Sequence, residues 1–194
     1  RAYALCREHD VPTAVDEIQT CLWHPPLYMY REYGLDPTFV VIGKGFGAGE
    51  YAASRLLFKR AYDVLPQFGA LVTNGQEELA SLVYLITMRW SQANAEVTRS
   101  VGDHFESRLN DLASKHRGLI SGIEGCRHCA GVCFDDLAGA RAFASAMNRR
   151  GFDISAQTYK ADCPPSALLK PPLVAGYDAI DFLVDRMDEV LCGM

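Results

Sequence analysis

Residues 15–47 read VDEIQTCLWHPPLYMYREYGLDPTFVVIGKGFG, and the two ends of this stretch decide the fold. Val11 to Val15 is a short apolar run followed at once by Asp16 and Glu17, a pattern that predicts a buried strand with carboxylates at its carboxyl end. Thr38 to Ile42 (TFVVI) predicts a second buried strand, ending in Gly43-Lys44-Gly45. In open α/β sheets the carboxyl ends of parallel strands border the ligand crevice, so Asp16 and Lys44 are expected to share it. Glycines on both sides of the lysine leave the backbone room while the amine reaches forward. A lysine so placed suits a Schiff base with a carbonyl cofactor, and an aspartate suits holding a pyridine nitrogen protonated. Taken singly the features say less. Asp-Glu at a strand end is equally a helix cap or a surface loop, and a lysine among glycines is an ordinary loop residue. The phosphate-loop pattern is absent, because Gly45 rather than Ser or Thr follows Lys44.

DEIQT, then Tyr33-Gly34-Leu35-Asp36-Pro37, then the hydrophobic strand and GKG, together resemble the class III aminotransferases. These are pyridoxal-phosphate (PLP) enzymes of fold type I, the ornithine and omega-amino-acid group. The resemblance implies an α/β fold: part of a fold type I large domain, mainly parallel sheet with helices, followed by a small α+β C-terminal domain. It implies that Lys44 holds PLP as a Schiff base and moves the substrate's α-proton, that Asp16 partners the pyridine nitrogen, and that Gln19 lies near the phenolic oxygen. Thr73, followed by Gly75 and Leu79-Ala80, sits where the family's threonine contacts the cofactor phosphate of the neighbouring subunit. A hydroxyl at a helix start is a good anion site, although a helix N-cap threonine needs no phosphate. By the same resemblance the protein is a homodimer with shared active sites, acting on an amine or amino acid and an oxo acceptor.

Several positions depart from the family. Cys21 to Pro26 replaces a glycine-rich stretch with an arginine, and its prolines and tryptophan make a stiffer, bulkier loop. Glu77-Glu78 replaces the asparagine-proline after the threonine motif. Leu168 stands where an arginine usually grips the substrate carboxylate in a bidentate clamp. Lys170 is nearby but is a poor bidentate replacement. The substrate is therefore open. The same first chemical steps also serve a racemase, mutase, lyase or decarboxylase, and a non-catalytic PLP-fold module is the reading from a different class. The family's fold also requires a preceding region with a phosphate-binding turn and a ring-stacking aromatic residue, so an N-terminal half is expected upstream or on another chain.

Composition narrows the partners. A net charge of −5 with no basic run argues against a nucleic-acid surface. No apolar run is long enough for a bilayer and no signal peptide is visible. Seven cysteines scattered through apolar segments fit thiols of a reducing cytoplasm better than a disulfide framework. Cys126-x-x-Cys129-x-x-x-Cys133 has metal-like spacing but no adjacent fourth ligand. A strand pair is expected there instead, with Cys129 and Cys133 on one face and Cys126 pointing away or in a turn. No metal site is expected.

Along the chain, helices are expected over residues 2–9, 27–33, 58–65 and 137–150, with one long helical run over 78–115 broken near Gly102. Further strands are expected over 50–57, 119–123, 130–134 and 152–155. The last helix, Tyr177 to Leu191, carries Ile180, Leu183, Val184, Met187 and Leu191 on one face. The division between large-domain part (1–102) and small domain (103–194) is expected near residue 102.

Overall fold

The computed structural model describes the whole chain except residues 24, 26, 73–74, 76 and 158–162. It forms two compact units, Arg1–Ala95 and Glu96–Met194. The expected division near residue 102 therefore falls inside a helix of the second unit.

The first unit contains α1 (Ala2–Glu8), β1 (Ala14–Asp16), α2 (Met29–Glu32), β2 (Phe39–Gly43), β3 (Ser54–Phe58) and α3 (Glu78–Ala93). β1 runs parallel to β2, with Ala14, Val15 and Asp16 opposite Phe39, Val40 and Val41. β3 lies antiparallel on the other side of β2, from Phe58 opposite Phe39 to Ser54 opposite Gly43. A parallel pair with an antiparallel edge strand is common in doubly wound sheets. Side chains alternate faces along a strand, and Val40 and Ile42 share the buried one. α2 is shorter than expected and is followed by Gly34, whose φ of +60° ends the turn as a glycine allows.

Two expectations in this unit fail. The strand expected from Glu50 starts at Ser54, because residues 47–50 form a turn with Ala48 and Gly49 at positive φ. The helix expected over 58–65 is only a 3-10 turn, Arg60–Tyr62. Phe58 is committed to β3, and Lys59 is extended, with its ammonium 2.7 Å from Asp36. Pro66 then disfavours helical geometry at Leu65.

The second unit contains α4 (Ala95–Lys115), β4 (Ile120–Cys126), β5 (Cys129–Phe134), α5 (Leu137–Asn148), β6 (Ser155–Gln157), β7 (Ser166–Leu169) and α6 (Tyr177–Cys192). Its sheet has the order β4-β5-β7-β6 and every pairing is antiparallel. The sheet and helices enclose one core, in which Phe105, Leu109, Phe143, Met147, Ile180 and Met187 have no solvent exposure. Asp136 caps α5 by accepting the Gly139 N–H at 2.7 Å, which satisfies an otherwise unpaired first-turn donor.

The helical run breaks at Asn94, whose side chain and backbone both donate to the Trp90 carbonyl, and not at Gly102. Gly102 is buried inside α4 for another reason. A Cβ there would lie 2.7 Å from Arg127 Cβ and 2.9 Å from His128 Nδ1, so the missing side chain lets the β4–β5 hairpin turn sit against the helix. That turn is a two-residue loop with Arg127 at φ 46°. It sets Cys126 directly opposite Cys129, so the two side chains share a face, contrary to the expected opposition. All seven cysteines are thiols.

α4 and α6 are zipped by polar pairs at a constant sequence offset. The hydroxyls of Ser100 and Tyr177 are 2.6 Å apart, His104 meets Asp181 at 2.8 Å and Arg108 meets Asp185 at 2.7 Å, each pair 77 residues apart. A constant offset means that the helices run parallel and in step. The zipper ends where Lys115 and His116 each approach a separate oxygen of Asp188 at 2.6 Å. Hydrogen bonds from Lys115 first and His116 second hold the Asp188 carboxyl below the usual carboxylate range, and Lys115 is pushed up in return.

Two outcomes follow for stability. Phe105→Ala should cost about 3–5 kcal/mol in urea unfolding, as a large side chain deleted from a closed core does; Val174→Ala, on the surface, should change it by less than about 0.5 kcal/mol. Asp188 has a folded pKa depressed below its unfolded value, so its contribution is complete above about pH 4 and is lost as pH falls through the folded pKa. Asp188→Asn should lower the urea midpoint at neutral pH, and the difference from wild type should close in strong acid.

Candidate active site

Asp16 is the last residue of β1 and lies opposite Val41, so its exposed side chain is on the Val41 face, away from Val40 and Ile42. One carboxylate oxygen accepts the Ile18 N–H at 2.9 Å. That bond folds the chain into a turn that presents Gln19 to solvent. Lys44 follows β2 directly, three residues beyond Val41 and hence roughly 10 Å further along the strand direction. Among the described residues no acceptor holds its exposed amine. Asp16, Gln19 and Lys44 thus all lie at the carboxyl ends of the two parallel strands. Thr73 lies outside the described residues.

Lys44 opens a 3-10 turn, Lys44–Gly47, with φ 44°, a left-handed conformation unfavourable for a side-chain-bearing residue. Tertiary contacts hold it there. Phe46 is buried against Tyr84 of α3, with ring centroids 5.6 Å apart. The Tyr84 hydroxyl donates to the Ala52 carbonyl, and the Arg55 guanidinium lies 4.7 Å over the Tyr84 ring. Of the two flanking glycines, Gly43 is demanded by packing, since a Cβ there would stand 3.0 Å from the Ala53 carbonyl oxygen. Gly45 has open space around it. The backbone strain therefore sits on the lysine itself, and sparsely populated geometry of this kind persists only where surroundings enforce it.

Beneath the edge lies a carboxylate that the residue pattern did not single out as structural. Glu17 is almost fully buried; it accepts the Tyr30 N–H at 2.6 Å and the Thr20 hydroxyl, while its own N–H donates to Val41 O at 2.8 Å. Period-two alternation offers the signal, because it places Glu17 with Val15 and opposite to Asp16. Cys21 packs beside it and donates its thiol to Gly43 O at 3.4 Å. Burial pushes this thiol up, reinforced by the Glu17 charge, which disfavours the thiolate form. Leu22 and Leu27 are buried, both have positive φ, and the Leu22 N–H donates to Leu27 O at 2.6 Å. Leu22, in the segment that departs from the family, is thus tied to Leu27 just after it. No sequence signal pointed to Tyr84.

In the second unit, Leu168 is a half-buried residue of β7, between Gly131 and Ser155 on its neighbour strands. Lys170 follows the strand and lines a cleft of about 430 Å³ with Phe152, Ile154, Leu169, Pro171 and Leu183.

No family model matches the chain. Individual relatives do. Acetylornithine aminotransferase of Aquifex aeolicus is 27% identical over 193 residues, covering 96% of this chain and 46% of that protein. Ornithine aminotransferase of Saccharomyces cerevisiae is 30% identical over 142 residues, covering 68% of this chain and 32% of that protein. The chain thus spans about half the length of the first curated relatives it matches. Among solved structures, ornithine aminotransferase from Toxoplasma gondii aligns with a TM-score of 0.86 at 21% identity, over 99% of this chain and 46% of that one. Ornithine δ-aminotransferase of Plasmodium falciparum aligns with a TM-score of 0.84 at 20% identity, over 99% and 50%. By sequence and fold together, this chain is a relative of the class III, ornithine-type aminotransferases of PLP fold type I, and corresponds to their C-terminal half.

Proposed function

We propose that the chain carries the lysine-bearing part of a PLP-dependent aminotransferase that moves an amino group between an amine or amino acid and an oxo compound. The observation that supports this most is the delivery of Asp16 and Lys44 to one edge by two parallel strands in register. The arrangement fits the cofactor: a carboxylate on one strand end and an amine, held by no acceptor among the described residues, on the next. Lys44 would hold PLP through its amine, Asp16 would keep the ring nitrogen protonated, and Gln19 would bond near the phenolic oxygen. Bound there, the cofactor supplies an electron sink for the substrate's Cα. The Lys44 amine would take the substrate's α-proton and return it elsewhere on the substrate. Phe46 packed on Tyr84 supports the turn that opens at Lys44.

The remaining assignments rest on the relatives. Residues 1–95 would belong to the cofactor-binding large domain and 96–194 to the small domain. Thr73 would meet the phosphate of a neighbouring subunit's cofactor. The first unit exposes Leu56 and Phe58 on β3 and Leu82, Leu85 and Ile86 on α3. Apolar side chains left uncovered in this number suit a protein surface that is normally covered, in keeping with a homodimer and with an N-terminal half supplied upstream or on another chain. No helix is long and apolar enough to cross a membrane among the described residues. With its thiols, that suits a cytoplasmic enzyme. Leu168 in place of the clamp arginine favours substrates that do not rely on a bidentate carboxylate grip.

Incubation with PLP, borohydride reduction and peptide mapping test the reading. The pyridoxyl label should concentrate on Lys44 over the other four lysines, and Lys44→Ala should abolish that concentration. Equal labelling of Lys44, Lys59, Lys115, Lys160 and Lys170 would reject the assignment. With the protein active, adding amine donor alone should bleach the cofactor's absorbance if transamination is the reaction.

A further inference from the structure

We infer that the C-terminal ends of α4 and α6 form a divalent metal site of His116, Asp188 and Cys192, with zinc the ion its donors favour. One ligand atom from each residue, an imidazole nitrogen, a carboxylate oxygen and a thiol sulfur, lies within 4.8 Å of the other two. It is the one such constellation of His, Cys and acidic groups among the described residues. Asp188 and Cys192 are four positions apart on α6, so they stand one above the other on the same helix face. His116 follows the last turn of α4, its N–H donating to Leu112 O at 3.0 Å. Its side chain is only 9% exposed and its Nε2 lies 2.6 Å from Asp188 Oδ1. Two ligands thus come from one helix and the third from the end of a parallel helix, whose register is set by the polar zipper between them.

The chemistry of the donor set selects the ion. Thiolate and imidazole are poor ligands for magnesium or calcium and good ones for zinc. A neutral imidazole, a carboxylate and a thiolate carry two negative charges, which cancel those of the dication. Binding forms Zn–N, Zn–O and Zn–S bonds and releases the Cys192 thiol proton to solvent, with any proton on the bound His116 nitrogen. Cys192 is exposed, so solvent reaches the sulfur side of the cluster, and three protein ligands leave a fourth position for water. Lys115 competes for the site, its ammonium 2.6 Å from the other Asp188 oxygen. That side chain is 58% exposed and has room to release the carboxylate. The cluster shares no residue with the edge formed by Asp16, Gln19 and Lys44, so it stands or falls apart from the aminotransferase reading.

Zinc titration of the full chain after chelator treatment, in competition with a chromophoric chelator, tests it, with cobalt(II) as the spectroscopic probe. One equivalent of zinc should bind, and cobalt should give a thiolate charge-transfer band in the near ultraviolet. Cys192→Ser and His116→Gln should each weaken zinc binding about tenfold or more and remove or shift that band. Lys115→Met should tighten binding, a response that a purely structural ion pair would not produce. Cys126→Ser should leave binding unchanged. The exposed Cys192 makes Cys192→Ser the variant that decides if His116→Gln fails to fold. Absence of saturable zinc binding by wild type, or zinc binding and the cobalt band left unchanged in Cys192→Ser, would overturn the inference.

Discussion

Three residues of parallel pairing, Ala14-Val15-Asp16 against Phe39-Val40-Val41, set the side-chain placement at the carboxyl ends of the first unit's strands. Because side chains alternate along a strand, this register places Asp16 on one face and the neighbouring Glu17 on the other. A slip of one residue would bury Asp16 and expose Glu17. The buried Glu17 in turn holds the register: its N–H continues the pairing to Val41, and its carboxylate anchors Tyr30 and Thr20 in the connection leading back to β2. The two acidic residues differ by one position and do opposite work. One is offered at the edge, and the other ties together the loop that makes the edge.

The lysine is positioned by a different set of contacts. β2 delivers the chain to Gly43, where the Ala53 carbonyl leaves no room for a side chain. The next residue takes a left-handed conformation, and Phe46 is locked under Tyr84 from α3. A strained backbone at this point needs such support, since left-handed geometry in a residue other than glycine costs roughly 1–3 kcal/mol. The same economy of contacts appears at the altered loop, where Leu22 and Leu27 are both left-handed and both buried. Their buried side chains accompany that backbone geometry, as the buried Phe46 does beside Lys44.

The second unit is organised by burial on one side and electrostatics on the other. Its core is a large apolar cluster, and the polar zipper of α4 and α6 lies at its rim. Exposed ion pairs contribute little individually to stability. Their effect here is on alignment: the constant offset keeps the helices in step, so that the last turn of α6 meets His116. The cluster of His116, Asp188 and Cys192 is a product of that alignment.

Much of this was legible before any coordinates. Hydrophobic alternation and the DEIQT and GKG motifs located β1, β2, Asp16 and Lys44, and the final helix followed from its apolar stripe. These signals are local: strand period, helix period and turn residues are written in consecutive positions. What adjacent residues do not encode is which distant segment a side chain meets. Gly102 looked like a helix break and is instead a seat for the Arg127–His128 turn, because the helix approaches a hairpin more than twenty residues away. Phe58 to Leu65 had helical composition, but pairing with Phe39 drew Phe58 into a strand. Glu17 was one half of a carboxylate pair until the backbone of Tyr30 closed over it. His116 and Cys192, far apart in the chain, had no shared pattern until two helices aligned. Residue order determined the elements and the reactive groups, and long-range packing decided which of those groups were buried, strained or brought together.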